Sequence, residues 1–255
     1  MNILHAFIMG IVEGITEFLP VSSTGHLILT ADILNISQKE FLKSFEIVIQ
    51  LGAILSVVFI YWKMLLVNFE VLKRVLIAFI PTGLLGLVFY RLIKNYLIGN
   101  RDVVLIALFL GGVFLIVFEL LYREKKSAVE KVEEISYMKA ILIGLAQSIA
   151  MIPGVSRSAA TILGGLILGL RRKTIVEFSF LLAVPTLLAA TLLDLFKNVS
   201  AFTLSQWHVL IAGFVTSFIV ALLSIRWFLH YIQRHSFALF GVYRICLALL
   251  FWWVL

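Results

Sequence analysis

The sequence predicts an all-α polytopic membrane protein, with about six transmembrane helices and two re-entrant helical hairpins in inverted-topology repeats. Three observations carry that fold class. Hydrophobic residues make up 62% of the 255 residues, charged residues only 14%, and the mean hydropathy is +1.09. A soluble domain is about 45–50% apolar and about 25% charged. Six stretches are long and apolar enough to span a bilayer. Two more apolar regions, 3–34 and 139–170, are each broken near the middle by a proline, Pro20 or Pro153, with a polar cluster straight after.

The chain opens on the first broken region. It does not read as a cleavable signal, because it has no basic start and Glu13 and Glu17 interrupt the apolar run. Each of its halves is short for a span, which fits a hairpin that re-enters the membrane. Apolar stretches follow at 45–62, 75–90 and 103–122. The charged connection 123–139 then divides the chain. Residues 139–170 repeat the hairpin, and stretches 175–196, 208–229 and 237–255 complete the set. Pro81 and Pro185 read as helix kinks. The expected organisation is a single membrane domain, with a first inverted repeat over 1–122 and a second over 139–255. Non-helical backbone at membrane depth needs protein or a wet cavity around it. Paired interrupted segments in corresponding places of two halves point to a site at mid-membrane.

Basic residues set the orientation. If the charged middle loop is cytoplasmic, the inside loops hold 13 Lys or Arg and the outside loops 6, among them Lys39, Arg91, Lys94 and Lys197. The positive-inside rule favours this arrangement. The first hairpin then enters from outside and the second from inside. The net charge of +7 fits the same rule. Nucleic acid is not expected as a partner, since the basic residues are spread over many short loops. The lone cysteine, Cys246, excludes an intrachain disulfide.

The two hairpins read as imperfect copies. The first carries Gly10-Ile-Val-Glu-Gly-Ile-Thr-Glu-Phe-Leu-Pro-Val-Ser-Ser-Thr-Gly-His26, and the second carries Gly144-Leu-Ala-Gln-Ser-Ile-Ala-Met-Ile-Pro-Gly-Val-Ser-Arg-Ser-Ala-Ala160. Gly10 aligns with Gly144, Ser22 with Ser156, Glu13 with Gln147 and Ser23 with Arg157. One copy carries acids and the other a base. Glu13 and Glu17 are four apart and share a helix face. Buried together they repel, so one must be protonated, paired with a cation or bound to a metal. Ser22, Ser23 and Thr24 are ordinary helix-capping types. A helix start rich in hydroxyls also presents free N–H groups that suit a phosphate. Gly154 allows close backbone approach. Arg157, between Ser156 and Ser158, can grip a phosphate through two parallel hydrogen bonds, or pair with Glu13 or Glu17. His26 reads as either a core histidine or a group at the phosphate. Thr161, Glu119, Glu177 and Arg244 read as structural, and so do Glu46 and Gln50, although these two share a face just after the first hairpin from which they could touch the site. His208, His230 and His235, with Trp207, Trp227 and Tyr231, read as an interfacial belt.

These two motifs, together with Phe45-Glu-Ile-Val-Ile-Gln-Leu-Gly52, closely resemble the signature regions of the bacterial undecaprenyl-diphosphate phosphatases of the bacitracin-resistance type. The resemblance covers the whole chain, with every motif in order. It implies an inner-membrane enzyme that hydrolyses undecaprenyl diphosphate to the monophosphate and inorganic phosphate. That reaction recycles the lipid carrier of cell-wall synthesis. The resemblance also implies a divalent cation, a site opening to the periplasmic side, and inverted repeats with re-entrant helices. By position, its acidic motif falls on Glu13 and Glu17, its hydroxyls on Ser22, Ser23 and Thr24, its histidine on His26, and its arginine motif on Ser156, Arg157 and Ser158.

The expected catalytic set is therefore Glu17, Ser23, His26 and Arg157. Ser22, Thr24, Gly154, Ser156 and Ser158 are expected to bind substrate. Glu13 and Glu17 are expected to hold Mg²⁺ or Ca²⁺, since hard cations prefer carboxylate oxygens. Ser23 as nucleophile and a water activated through His26 stay as alternatives. The expected partners are the isoprenoid lipid diphosphate and membrane lipid, with a homodimer left open. A different class of reading, a transporter or flippase of a lipid phosphate or other anion, also fits inverted repeats around a mid-membrane anion site.

Overall fold

The computed structural model describes residues 1–36, 40–97, 100–124, 128–197 and 206–254; Lys39, Lys125, Lys126 and Leu255, used in the readings above, lie outside them. The described residues form ten α-helices, a few single helical turns and one isolated bridge between Val129 and Leu170. The first half runs α1 (Ile3–Thr16), α2 (Ser23–Ile33), α3 (Glu40–Leu66), α4 (Phe69–Leu92) and α5 (Arg101–Leu121). The second runs α6 (Tyr137–Ser148), α7 (Arg157–Ile167), α8 (Arg172–Lys197), α9 (Trp207–Tyr231) and α10 (Ala238–Val254).

Short polar side chains start many of these helices. Asn2 accepts the His5 N–H at 2.9 Å and opens α1. Asn68 and Asn100 each accept two N–H groups from the first turns of α4 and α5, and Ser136 accepts one from α6. These side chains satisfy donors that have no partner inside the helix. The caps explain why the helices begin ahead of the apolar stretches: α4 starts at Phe69, six residues before the stretch at 75–90. Pro81 and Pro185 stand inside α4 and α8. A departure from helical backbone occurs at Tyr61 in α3, at φ −112° and ψ 23°.

Five helices, α3, α4, α5, α8 and α9, contain 21 to 26 residues apolar enough to cross a membrane. The sixth expected span is α10, with 17 residues. At 1.5 Å per residue it is about 25 Å long, a little under the roughly 30 Å of a hydrocarbon core. The exterior is apolar: Leu84, Val88, Leu120, Leu121 and Trp253 are among the large exposed side chains. Lipid covers such a surface at no cost, whereas water would not. The chain is a multi-pass membrane protein.

Both broken regions are helical hairpins, α1–α2 and α6–α7, as expected for 3–34 and 139–170. The packing repeats between the halves. Helix α1 lies on α9, and α6 lies on α4; α3 lies on α9, and α8 on α4. Helices α5 and α10 pair with each other, as do α3 and α8. Small residues make the equivalent crossings close. A Cβ added at Gly10 would come within 2.8 Å of the Gly213 carbonyl oxygen. One added at Gly144 would lie 2.9 Å from the Ala78 carbonyl carbon and closer still to its oxygen. In lipid, where no hydrophobic force drives helices together, such backbone approach is a main source of packing energy.

Candidate functional site

The tips of the two hairpins carry the same unusual backbone. Ser22 caps α2 at φ 71°, ψ 93°, and Ser156 caps α7 at φ 77°, ψ 114°. Positive φ is costly for a residue with a Cβ. It occurs here at aligned positions, each two residues beyond Pro20 or Gly154. Ser156 Oγ accepts the Ala159 N–H at 3.2 Å, whereas Ser22 makes no side-chain cap. Gly154 is itself at φ +94°, and a Cβ there would meet the Val104 carbonyl oxygen of α5 at 2.6 Å. The glycine therefore admits α5 as well as lining the cavity described below.

Glu17 lies between the two tips. Ser23 Oγ donates to its Oε2, and Arg157 Nη2 contacts its Oε1 at 3.3 Å. Arg157 Nη2 also reaches the Glu17 carbonyl at 3.4 Å, and Nη1 donates to the Ser179 carbonyl at 3.0 Å. Arg157 Nε is buried with no partner among the described residues. Ser158 Oγ donates to the Phe18 carbonyl at 2.8 Å and straps one tip to the other. The acid of the first copy and the base of the second, 140 positions apart, thus pair with each other.

A cavity of about 170 Å³ opens beside them, lined in part by Glu17, Ser22, Ser23, Thr24, Ser156 and Arg157. Gln50, Thr82, Gln147 and Thr186 also line it. Gln147 Nε2 donates to Thr82 Oγ1 at 3.0 Å and to Thr186 Oγ1 at 3.1 Å, and Thr161 Oγ1 donates to Gln147 Oε1 at 3.4 Å. The first turns of α2 and α7 both start at this cavity. Their free N–H groups and dipole ends suit an anion.

Three expected site residues stand off the cavity wall. His26 is buried, with Nδ1 2.8 Å from the Ser22 carbonyl and Nε2 2.7 Å from Tyr243 Oη, and its ring stacks on Tyr243. Both ring nitrogens are engaged, Nδ1 at the N-cap of its own helix and Nε2 on α10. Ser158 is spent on its strap. Glu13 is wholly buried one turn behind Glu17, and neither of its carboxylate oxygens has a hydrogen-bond partner among the described residues. Two unsatisfied carboxylate oxygens at full burial are costly without a cation, so Glu13 fits the donor set of a hard divalent ion. Among the described residues no three His, Cys, Asp or Glu side chains cluster closely enough to hold a metal unaided.

Sequence reasoning passed over Thr82, Thr186 and Tyr243, and read Arg244 as structural. The threonines carry no local signal, because a hydroxyl within a span usually bonds its own helix. Arg244 did carry one: a cation in the middle of the last apolar stretch, which is costly unless it has a task.

A family model described as "Bacitracin resistance protein BacA" matches residues 6–250. The chain is 54% identical to a protein named "Undecaprenyl-diphosphatase" from Aquifex aeolicus (strain VF5), over 97% of this chain and 96% of that one. It is likewise 54% identical to one of the same name from Sulfurihydrogenibium sp. (strain YO3AOP1), over 99% of both. A third, from Methanococcus aeolicus, is 43% identical over 96% of this chain and 95% of its own length.

Proposed function

The chain belongs to the bacitracin resistance protein BacA family, and from that premise we propose that it hydrolyses undecaprenyl diphosphate to undecaprenyl phosphate and inorganic phosphate. The observation that carries the reading is the Glu17 carboxylate, which takes Ser23 on one oxygen and Arg157 on the other beside a polar cavity. A nucleophile, a base in contact with it and a guanidinium for the developing charge are the parts phosphoryl transfer needs.

The diphosphate enters the cavity with its isoprenoid tail among the spans. The N-termini of α2 and α7 and the hydroxyls of Ser22, Thr24 and Ser156 receive its oxygens. Arg157 Nε, without another partner among the described residues, adds a donor. Ser23 Oγ attacks the terminal phosphorus as Glu17 takes its proton. The bond from that phosphorus to the bridging oxygen breaks, and the lipid monophosphate leaves with the electron pair. Water then attacks the phosphoserine, Ser23 recovers a proton, and inorganic phosphate departs. His26 supports the tip through the Ser22 carbonyl rather than meeting the phosphate. Glu13 and Glu17 would hold a Mg²⁺ or Ca²⁺, which supplies charge neutralisation across the diphosphate when bound.

The same reading places the protein in the bacterial plasma membrane, with the site facing outward. The repeated packing of α1 on α9 and α6 on α4 supports inverted repeats. Three spans separate the hairpins, so a second hairpin of the same form begins on the opposite side. The test is phosphate release from undecaprenyl diphosphate by purified protein in detergent, where no gradient exists. The wild type releases phosphate, and Arg157→Ala loses about 1,000-fold or more in kcat, the scale set by catalytic arginines. Ser23→Ala falls comparably, and the wild type yields a trappable phosphoserine. A transporter without hydrolysis releases nothing in this assay.

A further inference from the structure

Arg244 sits in α10 with none of its surface exposed. Its guanidinium touches no carboxylate among the described residues. Its five N–H groups meet five main-chain carbonyls instead. Nε donates to Leu108 at 3.3 Å. Nη1 donates to Pro20 at 3.3 Å and Val155 at 3.0 Å. Nη2 donates to Ala107 at 3.0 Å and Gly154 at 2.9 Å. That uses every donor an arginine has. Lysine, with three donors on one nitrogen, cannot reproduce the pattern.

The carbonyls come from three separate segments. Two belong to α5. One belongs to the first hairpin tip and two to the second. Pro20 and Gly154 hold equivalent places, each two residues before the positive-φ serine that caps the next helix. Helix α5 is shaped to admit the group: a Cβ at Gly111 would lie 2.7 Å from Arg244 Cζ and closer still to Nη2. Gly112 and Gly241 bring α5 and α10 together beside it, each with a hypothetical Cβ 2.7 Å from the other's carbonyl oxygen. Without a cation between them, the carbonyls of the two tips would face one another and repel. A buried charge without a counter-charge is otherwise destabilising in a bilayer.

We propose that Arg244 is a positioning residue: it fixes the separation of the two hairpin tips so that the N-termini of α2 and α7, with Arg157, act on one diphosphate. The proposal rests on the hydrolase reading, and it concerns how the site is assembled rather than which groups touch phosphate. Misplacing reacting groups by about 1 Å costs about 100-fold in rate.

The test uses Arg244→Lys, Arg244→Gln and Gly111→Ala, the last of which displaces the guanidinium without removing it. Each is purified in detergent, checked for a folded monodisperse state, and assayed for kcat and KM with undecaprenyl diphosphate. Affinity for methylenediphosphonate, which bridges the tips but carries no lipid, is measured in parallel. The expected result is a fall of about 100-fold in kcat, with diphosphonate binding weakened about tenfold and KM within about threefold because the tail binds as before. A purely structural role removes active molecules but leaves the diphosphonate Kd of the remainder unchanged. The proposal is overturned if folded Arg244→Lys and Gly111→Ala keep wild-type kcat and Kd. It is also overturned if kcat falls only with the folded fraction, or if none of the variants folds, which assigns the cluster to folding alone. If the wild type releases no phosphate, the hydrolase reading fails, while the diphosphonate affinities still decide the role of Arg244.

Discussion

Replacing Ser22 with glycine is expected to make the protein more stable and less active. Ser22 is held at φ 71°, ψ 93°, and its side chain makes no cap bond. An L residue at positive φ costs about 1–2 kcal/mol. Glycine escapes that cost but brings about 0.5–1 kcal/mol of extra freedom to the unfolded chain. The net gain is about 0.5–1 kcal/mol, or about 2–3 °C in Tm for a chain of this size. Ser156 supplies the contrast. It has the same strain at φ 77°, but its Oγ accepts the Ala159 N–H at 3.2 Å. Losing that cap costs a few tenths of a kcal/mol on replacement by glycine, so Ser156→Gly gains less than Ser22→Gly. The alanine variants keep the strain at both positions. Ser22→Ala is near neutral in stability, and Ser156→Ala loses about 1 kcal/mol. Both hydroxyls line the cavity, so each glycine variant loses a phosphate donor and kcat falls about tenfold or more. The assay pairs thermal unfolding in detergent, followed by tryptophan fluorescence, with phosphate release. A Ser22→Gly protein that melts below the wild type, or turns over at the wild-type rate, refutes the reasoning.

Two further outcomes follow from side chains at close quarters. Glu13→Gln replaces a buried carboxyl whose oxygens have no partner among the described residues, so its Tm in chelator stays at or above the wild-type value, while the Mg²⁺ concentration for half-maximal phosphate release rises about tenfold or more; an unchanged metal titration removes Glu13 from the ion's donor set. Gly144→Ala forces α6 off α4 at the Ala78 carbonyl and lowers stability by about 1–3 kcal/mol, whereas Gly86→Ala, whose nearest neighbour is Met151 Cε at 3.6 Å, is neutral. Equal melting temperatures for the two would show that the α4–α6 crossing yields easily.

Much of this fold was legible because the bilayer leaves a chain few options. Backbone groups in lipid must bond within their own segment, so a long apolar stretch is a helix. The broken regions 3–34 and 139–170 were legible for the converse reason: Pro20 and Pro153 interrupt helices at lengths too short to span. Boundaries were less so. α4 begins at Phe69 because Asn68 caps it and Glu70 is tolerated in a first turn, not because the residues there are apolar. The site was legible as two halves, with acids in one and a base in the other. Arg157 was expected to grip phosphate, to pair with Glu13 or Glu17, or to do both, and it pairs with Glu17.

The sequence by itself determined the solvent, the secondary structure and the duplicated chemistry, since each depends on short windows of residue type and spacing. Only the tertiary structure decided which groups face the cavity. A pattern along one helix cannot say which distant carbonyl or hydroxyl arrives opposite it. His26 thereby came to rest on Tyr243 and the Ser22 carbonyl, 217 positions separating the two rings. Arg244, marked along the chain only as a cation within an apolar stretch, came to hold both hairpin tips from a position 224 residues beyond the first.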